Sequence, residues 1–287
     1  MKSPNFEPMR SLIFVDVAKE DYRIKLENWL YRYHIQDSIS QFGPYVSKYA
    51  FYAALPVPPG GERYGTYKMQ LTEHYWLVNF KYTLDKPKAL TEFFPKNVLK
   101  WQGNIPDDDI KTVDKNDIDN IEGDSARSTK GYNHKGTVPF IFAFIPVWWE
   151  DDFKGKERTV EDGPNYRWQF VIKYPEKVNI EKGDIWFKEE FIPAFKELKE
   201  TTRILSSKVM KDVNNCEFDR VVEIWFECQS DWLSAVEKAG KIVAKPSWAQ
   251  TEDFPYLTKY YGISSMFLSD IPKTDNLTQY RGYITMR

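Results

Sequence analysis

Five side chains among 287 residues are the usual carriers of metal binding, nucleophilic attack or proton exchange near neutral pH: His34, His74, His134, Cys216 and Cys228. Their spacing excludes several chemistries together. Three scattered histidines form no HxH or HExxH pair and the two cysteines no CxxC, so no metal ligand set is expected. A nucleophile elbow of the GxSxG type is absent. So are GxGxxG and GxxxxGK[ST]; GGERYG at 60–65 has neither the phosphate-loop pattern nor the helix that should follow it. What remains is proton transfer by imidazole, which titrates near neutrality, or binding without chemistry. A haem requires only one axial histidine and stays open on spacing.

The elements around these residues sharpen the choice. Residues 11–17 (SLIFVDV) read as a buried strand, and 21–42 as a helix, because Leu26, Trp29, Leu30 and Tyr33 fall at i, i+3, i+4 and i+7. Gly43-Pro44 is the stop signal. The same order returns later: WQFVIK at 168–173 reads as a strand, and 183–198 as a helix apart from Pro193. Ser11 and Trp168 stand 157 residues apart, and so do Trp29 and Trp186. A second strand pair, 72–78 (TEHYWLV) and 221–227 (VVEIWFE), sets Trp76 over Trp225 and His74 over Glu223. Helices are expected at 86–94 and 231–242, and final strands at 137–149 and 263–271. Each half thus reads as β-α-β-β-α-β, the ferredoxin-like unit. The predicted fold is α+β, two such units (1–150 and 151–287) pairing antiparallel sheets into a barrel.

On this duplication His34 lies over Phe191, so one half carries a polar group where the other carries a ring. His34 reads either as a general acid/base or as a satisfied helix histidine. His74 shares a strand face with Thr72 and Trp76 and reads as a hydrogen-bonded structural group or a pocket residue. His134 falls in 103–136, an acidic stretch nearly free of large apolar side chains that reads as a lid or a solvated insertion.

Composition sets the remaining limits. Lys and Arg number 40 against 42 Asp and Glu, a net charge of −2, which argues against a nucleic-acid backbone as partner. The longest apolar run, 139–149, is far short of the roughly 20 residues of a membrane span. No signal peptide is read at the start. Two cysteines make no disulfide framework, so a reduced, cytoplasmic chain is expected. Ten Trp, eighteen Tyr and nineteen Phe suit either a heavily aromatic core or a pocket for a flat ligand. The candidate pocket residues are Tyr45, Tyr49, His74, Trp76 and Trp149. Gln102, beside Trp101, is an uncharged hydrogen-bonding group or an ordinary loop residue.

The run EPMRSLIFVDVAKEDYRIKLENWLYRYHIQDSISQFGPYVSKYAFY resembles the N-terminal part of the bacterial-type chalcone isomerases. So do YKMQLTEHYWLV, VLKWQGNIP, PFIFAFIPVWWE, KPSWAQTEDFPYL and NLTQYRGYITMR. The resemblance spans nearly the whole chain and is weakest over 111–135. It implies a fold similar to the dimeric α+β barrels of the chlorite dismutases, no cofactor and no metal, and a homo-oligomer, a hexamer in that family. The implied activity is the interconversion of chalcones and flavanones, with a small-molecule flavonoid as partner. The family's catalytic histidine falls on His34 and its assisting glutamine on Gln102. Two readings stand beside it: a haem enzyme on the related fold, and a flavonoid-binding relative without catalysis.

Overall fold

A computed structural model describes residues 9–17, 20, 23–77, 140–156, 165–211, 216 and 218–277. His134, the helix expected at 86–94, Trp101, Gln102 and the 103–136 insertion lie outside these residues.

The first strand, β1 (Met9–Val17), alternates cleanly. Met9, Ile13 and Val15 join one buried cluster, and Leu12 and Phe14 join another on the opposite face. A helix follows in three pieces: α1 (Arg23–Trp29), a π-helical turn (Leu30–His34) and α2 (Ile35–Phe42). Its buried residues explain the π turn. Leu26, Leu30, Ile35 and Ile39 all face the sheet, and the five-residue step from Leu30 to Ile35 stays in phase only if the helix takes up one extra residue there.

Then come β2 (Val46–Ala53), β3 (Gln70–Trp76) and β4 (Phe140–Lys154). The second unit repeats the plan: β5 (Tyr166–Ile172), α3 (Ile180–Trp186), a π-helical turn (Phe187–Phe191), α4 (Ile192–Lys196), β6 (Arg203–Val209), β7 (Arg220–Phe226), α5 (Gln229–Ile242) and β8 (Ile263–Ser269), with a short β9 (Thr274–Asp275) after it. The helix runs through Pro193, the residue set apart in the sequence reading of 183–198. The π turn ends just before α4, so Pro193 falls in the first turn of a new α segment, where its missing N–H is tolerated.

All nine strands form one antiparallel sheet in the order β8-β5-β7-β6-β4-β1-β3-β2-β9. Each half is the ferredoxin-like order: β4-β1-β3-β2 in the first unit and β8-β5-β7-β6 in the second. The long β4 joins them, pairing with β1 through residues up to Val147 and with β6 beyond it. β8 and β9 together do the same at the other end: β8 pairs with β5, and β9 with β2. The backbone N–H of Leu55 also donates to Phe267, and that of Tyr67 to Ser265. The sheet therefore closes into a barrel, which leaves few free edges.

Three buried clusters result. One lies between the first helix and the first sheet, one between the second helices and the second sheet, and one fills the apolar end of the barrel with residues of both units, among them Leu12, Phe14, Leu71, Val221 and Met266.

The barrel corrects one sequence-derived correspondence. Met9 pairs with Trp76 in the first unit, and Tyr166, 157 residues on, pairs with Phe226 in the second. Trp76 therefore matches Phe226 rather than Trp225, Glu73 matches Glu223, and His74 matches Ile224. A slip of one residue sends a strand's side chains to the opposite face: Trp76 packs under the helix, whereas Trp225 follows Glu223 on the barrel side. The helices kept their register. His34 and Phe191 each close the π turn of their unit.

Candidate functional site

The helix-facing side of the first sheet gathers His34, Ser38, Tyr49, His74, Ser11 and Trp76. The π turn places His34 one turn before Ser38, whose hydroxyl lies 3.5 Å from His34 Nε2. The backbone there is a continuous helix, so the pair is the ordinary i, i+4 neighbour relation. His34 is partly buried, and burial pushes its imidazole down to about 4. With no carboxylate among the causes of that shift, the neutral ring is the resting form at neutral pH.

β2 and β3 supply the floor. Tyr49 and His74 are register partners on adjacent strands, and their rings stack at 4.5 Å between centroids and 19° between planes. The Tyr49 hydroxyl is pushed up from its ordinary value by burial, opposed by Ser38. Phe51 stands edge-on to Tyr49 at 5.4 Å. His74 is pushed down to about 3, chiefly by burial and then by the His34 imidazole; Glu73 pulls the other way.

Ser11 joins Trp76 to His74. Trp76 Nε1, which can only donate, gives its hydrogen to Ser11 Oγ at 2.8 Å. The same Oγ lies 3.3 Å from His74 Nδ1, to which the hydroxyl can donate or from which its second lone pair can accept. Ser11 and His74 face each other directly because they are partners in the β1–β3 register. The Trp76 ring lies 5.3 Å from that of His74.

Of the residues expected from sequence, the structure brings together His34, Tyr49, His74 and Trp76. Tyr45 stands apart in the turn before β2: it is 46 % exposed, and its carbonyl accepts from Leu77. Trp149 belongs to β4, where its backbone pairs with Lys208 on β6. Gln102 falls outside the described residues. Ser11 and Ser38 were missed. The available signal was a lone hydroxyl at a core-facing position, on β1 among Met9, Ile13 and Val15 and on α2 beside Ile39.

Chemically, the group offers a neutral imidazole at a helix–sheet interface and a second imidazole beside a serine hydroxyl, with aromatic faces beside them. Such a site can take up a proton and return it to a flat, mostly apolar ligand. A groove of about 830 Å³ between the second unit and the β2–β3 link, lined by Trp232, Leu233 and Phe254 with Pro59 and Arg63, holds none of the expected site residues.

Residues 6–107 match the family model described as the chalcone isomerase N-terminal domain. His34, Ser38, Tyr49, His74 and Gln102 all lie inside that segment. No curated protein matches the sequence. Among solved structures, an anthrone oxidase-like protein is 8% identical with a TM-score of 0.44, over 96% of this chain and 97% of that one. Chlorite dismutase from Candidatus Nitrospira defluvii, in complex with imidazole, is 7% identical with a TM-score of 0.43, over 94% and 92%.

Proposed function

We propose that the chain is a cofactor-independent isomerase that interconverts chalcones and flavanones, with His34 as its acid/base. One observation carries the reading: a partly buried, neutral His34 and the stacked Tyr49–His74 pair converge within the segment that matches a chalcone isomerase domain.

The reaction balances on one proton. Neutral His34 takes the proton of the chalcone 2′-hydroxyl as the phenolate oxygen adds to the β-carbon of the enone. The oxygen–carbon bond forms and the electron pair moves to the carbonyl as an enolate. The imidazolium then returns the proton to the α-carbon, which completes the flavanone. In reverse, the same nitrogen removes the α-proton and the ring oxygen leaves. A base held neutral at rest suits the first step. The anionic ligand raises the imidazole's affinity for the proton, so the resting value does not limit it during turnover. Gln102, assigned by resemblance, hydrogen-bonds the oxygen on which charge develops. Tyr49 and Trp76 supply faces that hold the rings in a closure-ready conformer.

The test follows the visible absorbance of naringenin chalcone with wild type and His34→Ala. Wild type accelerates the decay; His34→Ala loses most turnover while keeping its circular dichroism and its affinity for naringenin. Gln102→Ala loses up to roughly 10²–10³-fold in rate. Full turnover by His34→Ala sinks the assignment of the base. Binding of naringenin by wild type with no acceleration identifies a binder instead of an enzyme.

A further inference from the structure

The opposite face of the same strands carries a second polar group, inside the barrel. Arg10 and Arg167 are equivalents in the two units, as are Glu73 and Glu223. Arg10 bridges the carboxylates: its Nε donates to Glu73 at 2.6 Å, and its Nη2 reaches Glu223 at 2.5 Å. Lys48 adds a third cation, on Glu73 at 2.5 Å. Its Nζ sits 4.8 Å over the Tyr75 ring, and Arg203, its equivalent in the second unit, sits 4.8 Å over Trp225. Arg10, Lys48 and Arg167 therefore face two carboxylates, one positive charge in excess.

Arg167 is the cation left short. It is 4 % exposed. Its contact with Glu223 is long, 3.5 Å from Nη1, and Glu223 already takes Arg10 and the Trp225 indole N–H. Among the described residues the Nε and Nη2 hydrogens of Arg167 have no partner. This is the two-donor edge that grips a carboxylate side-on. Two other arginines show that edge filled: Arg220 holds Asp184 through Nε at 2.7 Å and Nη2 at 2.9 Å, and Arg23 holds Glu20 through the same two atoms. Two residues along β5, on the same face, Gln169 is fully buried, and neither its amide nitrogen nor its amide oxygen has a partner among the described residues. Buried polar groups are satisfied in the great majority of cases, and a guanidinium cannot escape by losing its proton. The Tyr52 ring, 4.5 Å from the guanidinium, fixes its plane. Partly exposed Lys48, Tyr75 and Trp225 lie at this end of the barrel.

We propose that the polar end of the barrel interior binds a small organic carboxylate, held side-on by Arg167 Nε and Nη2, with Gln169 hydrogen-bonding a second polar group of the same ligand. A single excess charge beside two buried carboxylates suits a monoanion and repels a phosphate dianion. The site is independent of the His34 chemistry, from which the sheet itself separates it.

The test is calorimetry and thermal unfolding of the full chain with benzoate, 4-hydroxybenzoate and the neutral 4-hydroxybenzamide. Both acids bind and raise the melting temperature, 4-hydroxybenzoate more tightly, and the amide does neither. Arg167→Lys keeps the charge, loses the fork and weakens both acids by roughly tenfold or more. Gln169→Leu, which breaks no side-chain hydrogen bond among the described residues, stays folded, keeps benzoate and loses the preference for 4-hydroxybenzoate. His34→Ala binds the acids as wild type does, which separates this site from the proposed isomerase chemistry. The proposal is overturned if neither acid binds, if the amide binds equally well, or if both barrel variants bind as wild type does.

Discussion

A histidine that rests without its proton needs a surrounding that refuses the charge, and both described histidines have one. For His34 the cause is burial; for His74 it is burial and the neighbouring imidazole. The Ser11 hydroxyl is the hinge of the arrangement, since it accepts from Trp76 and shares a hydrogen bond with His74 Nδ1. Ser11→Ala leaves the indole N–H and His74 Nδ1 without that partner in a buried place. A loss of about 1–3 kcal/mol is expected, read as a lower urea midpoint at neutral pH. Unchanged stability would mean that the two groups find other partners. The sequence exposed His34 readily, because histidine is rare here and its equivalent is Phe191. It could not expose Ser11, whose meaning depends on lying opposite His74, a fact of sheet register and not of local pattern.

At the scale of elements, the 157-residue offset held wherever the helix and first strand set the spacing, and failed at the third strand of each unit. The loops between differ in length, so Glu73 and Glu223 are 150 residues apart, not 149, and the aligned tryptophans faced opposite sides. The paired arginines at 10 and 167 were readable from the offset that did hold; nothing local marked them as buried partners of glutamates so far along the chain. The link between β2 and β3 has a task that its turn residues only hint at: it crosses to the second unit and closes the barrel. Gly65 has φ +62°, a left-handed conformation that favours glycine, and a Cβ there would come within 2.5 Å of the Tyr260 backbone nitrogen and 2.6 Å of the Ile263 oxygen. Its carbonyl accepts from the Ser265 N–H. Gly65→Ala is expected to cost more than about 1 kcal/mol and to raise hydrogen exchange selectively at Tyr67 and Ser265, the amides of that junction. A uniform rise across the sheet would contradict a local role.

For the whole molecule, the two polar layers on opposite faces of one sheet make acid its natural denaturant, in two stages. The folded values of His34 and His74, about 4 and about 3, lie below the ordinary 6.5. As pH falls below 6.5 the unfolded chain binds protons that the folded chain refuses, so stability declines until the folded values are reached. The second stage comes from the barrel. Burial pushes Glu73 up, but Arg10, Lys48 and Arg167 outweigh it and hold the carboxyl well below its ordinary 4.5. Its stabilisation is complete above that pH and is lost as the unfolded chain takes up the proton below it. Urea midpoints measured from pH 7 to pH 3 should therefore fall gradually from about 6.5 and more steeply below about 4.5. His34→Phe, which copies the second unit, makes the upper stage shallower, the share of His74 remaining, and leaves the lower one. Arg10→Met does the reverse: it strips both glutamates of their shared partner, lowers stability at neutral pH by about 3–5 kcal/mol, and shallows the decline below 4.5, because the carboxyls no longer hold off their protons. If the midpoint stays level between pH 7 and pH 5, the histidines are not buried neutral groups. If Arg10→Met leaves the lower stage as steep as before, the bridge between the two units does not carry the acid response.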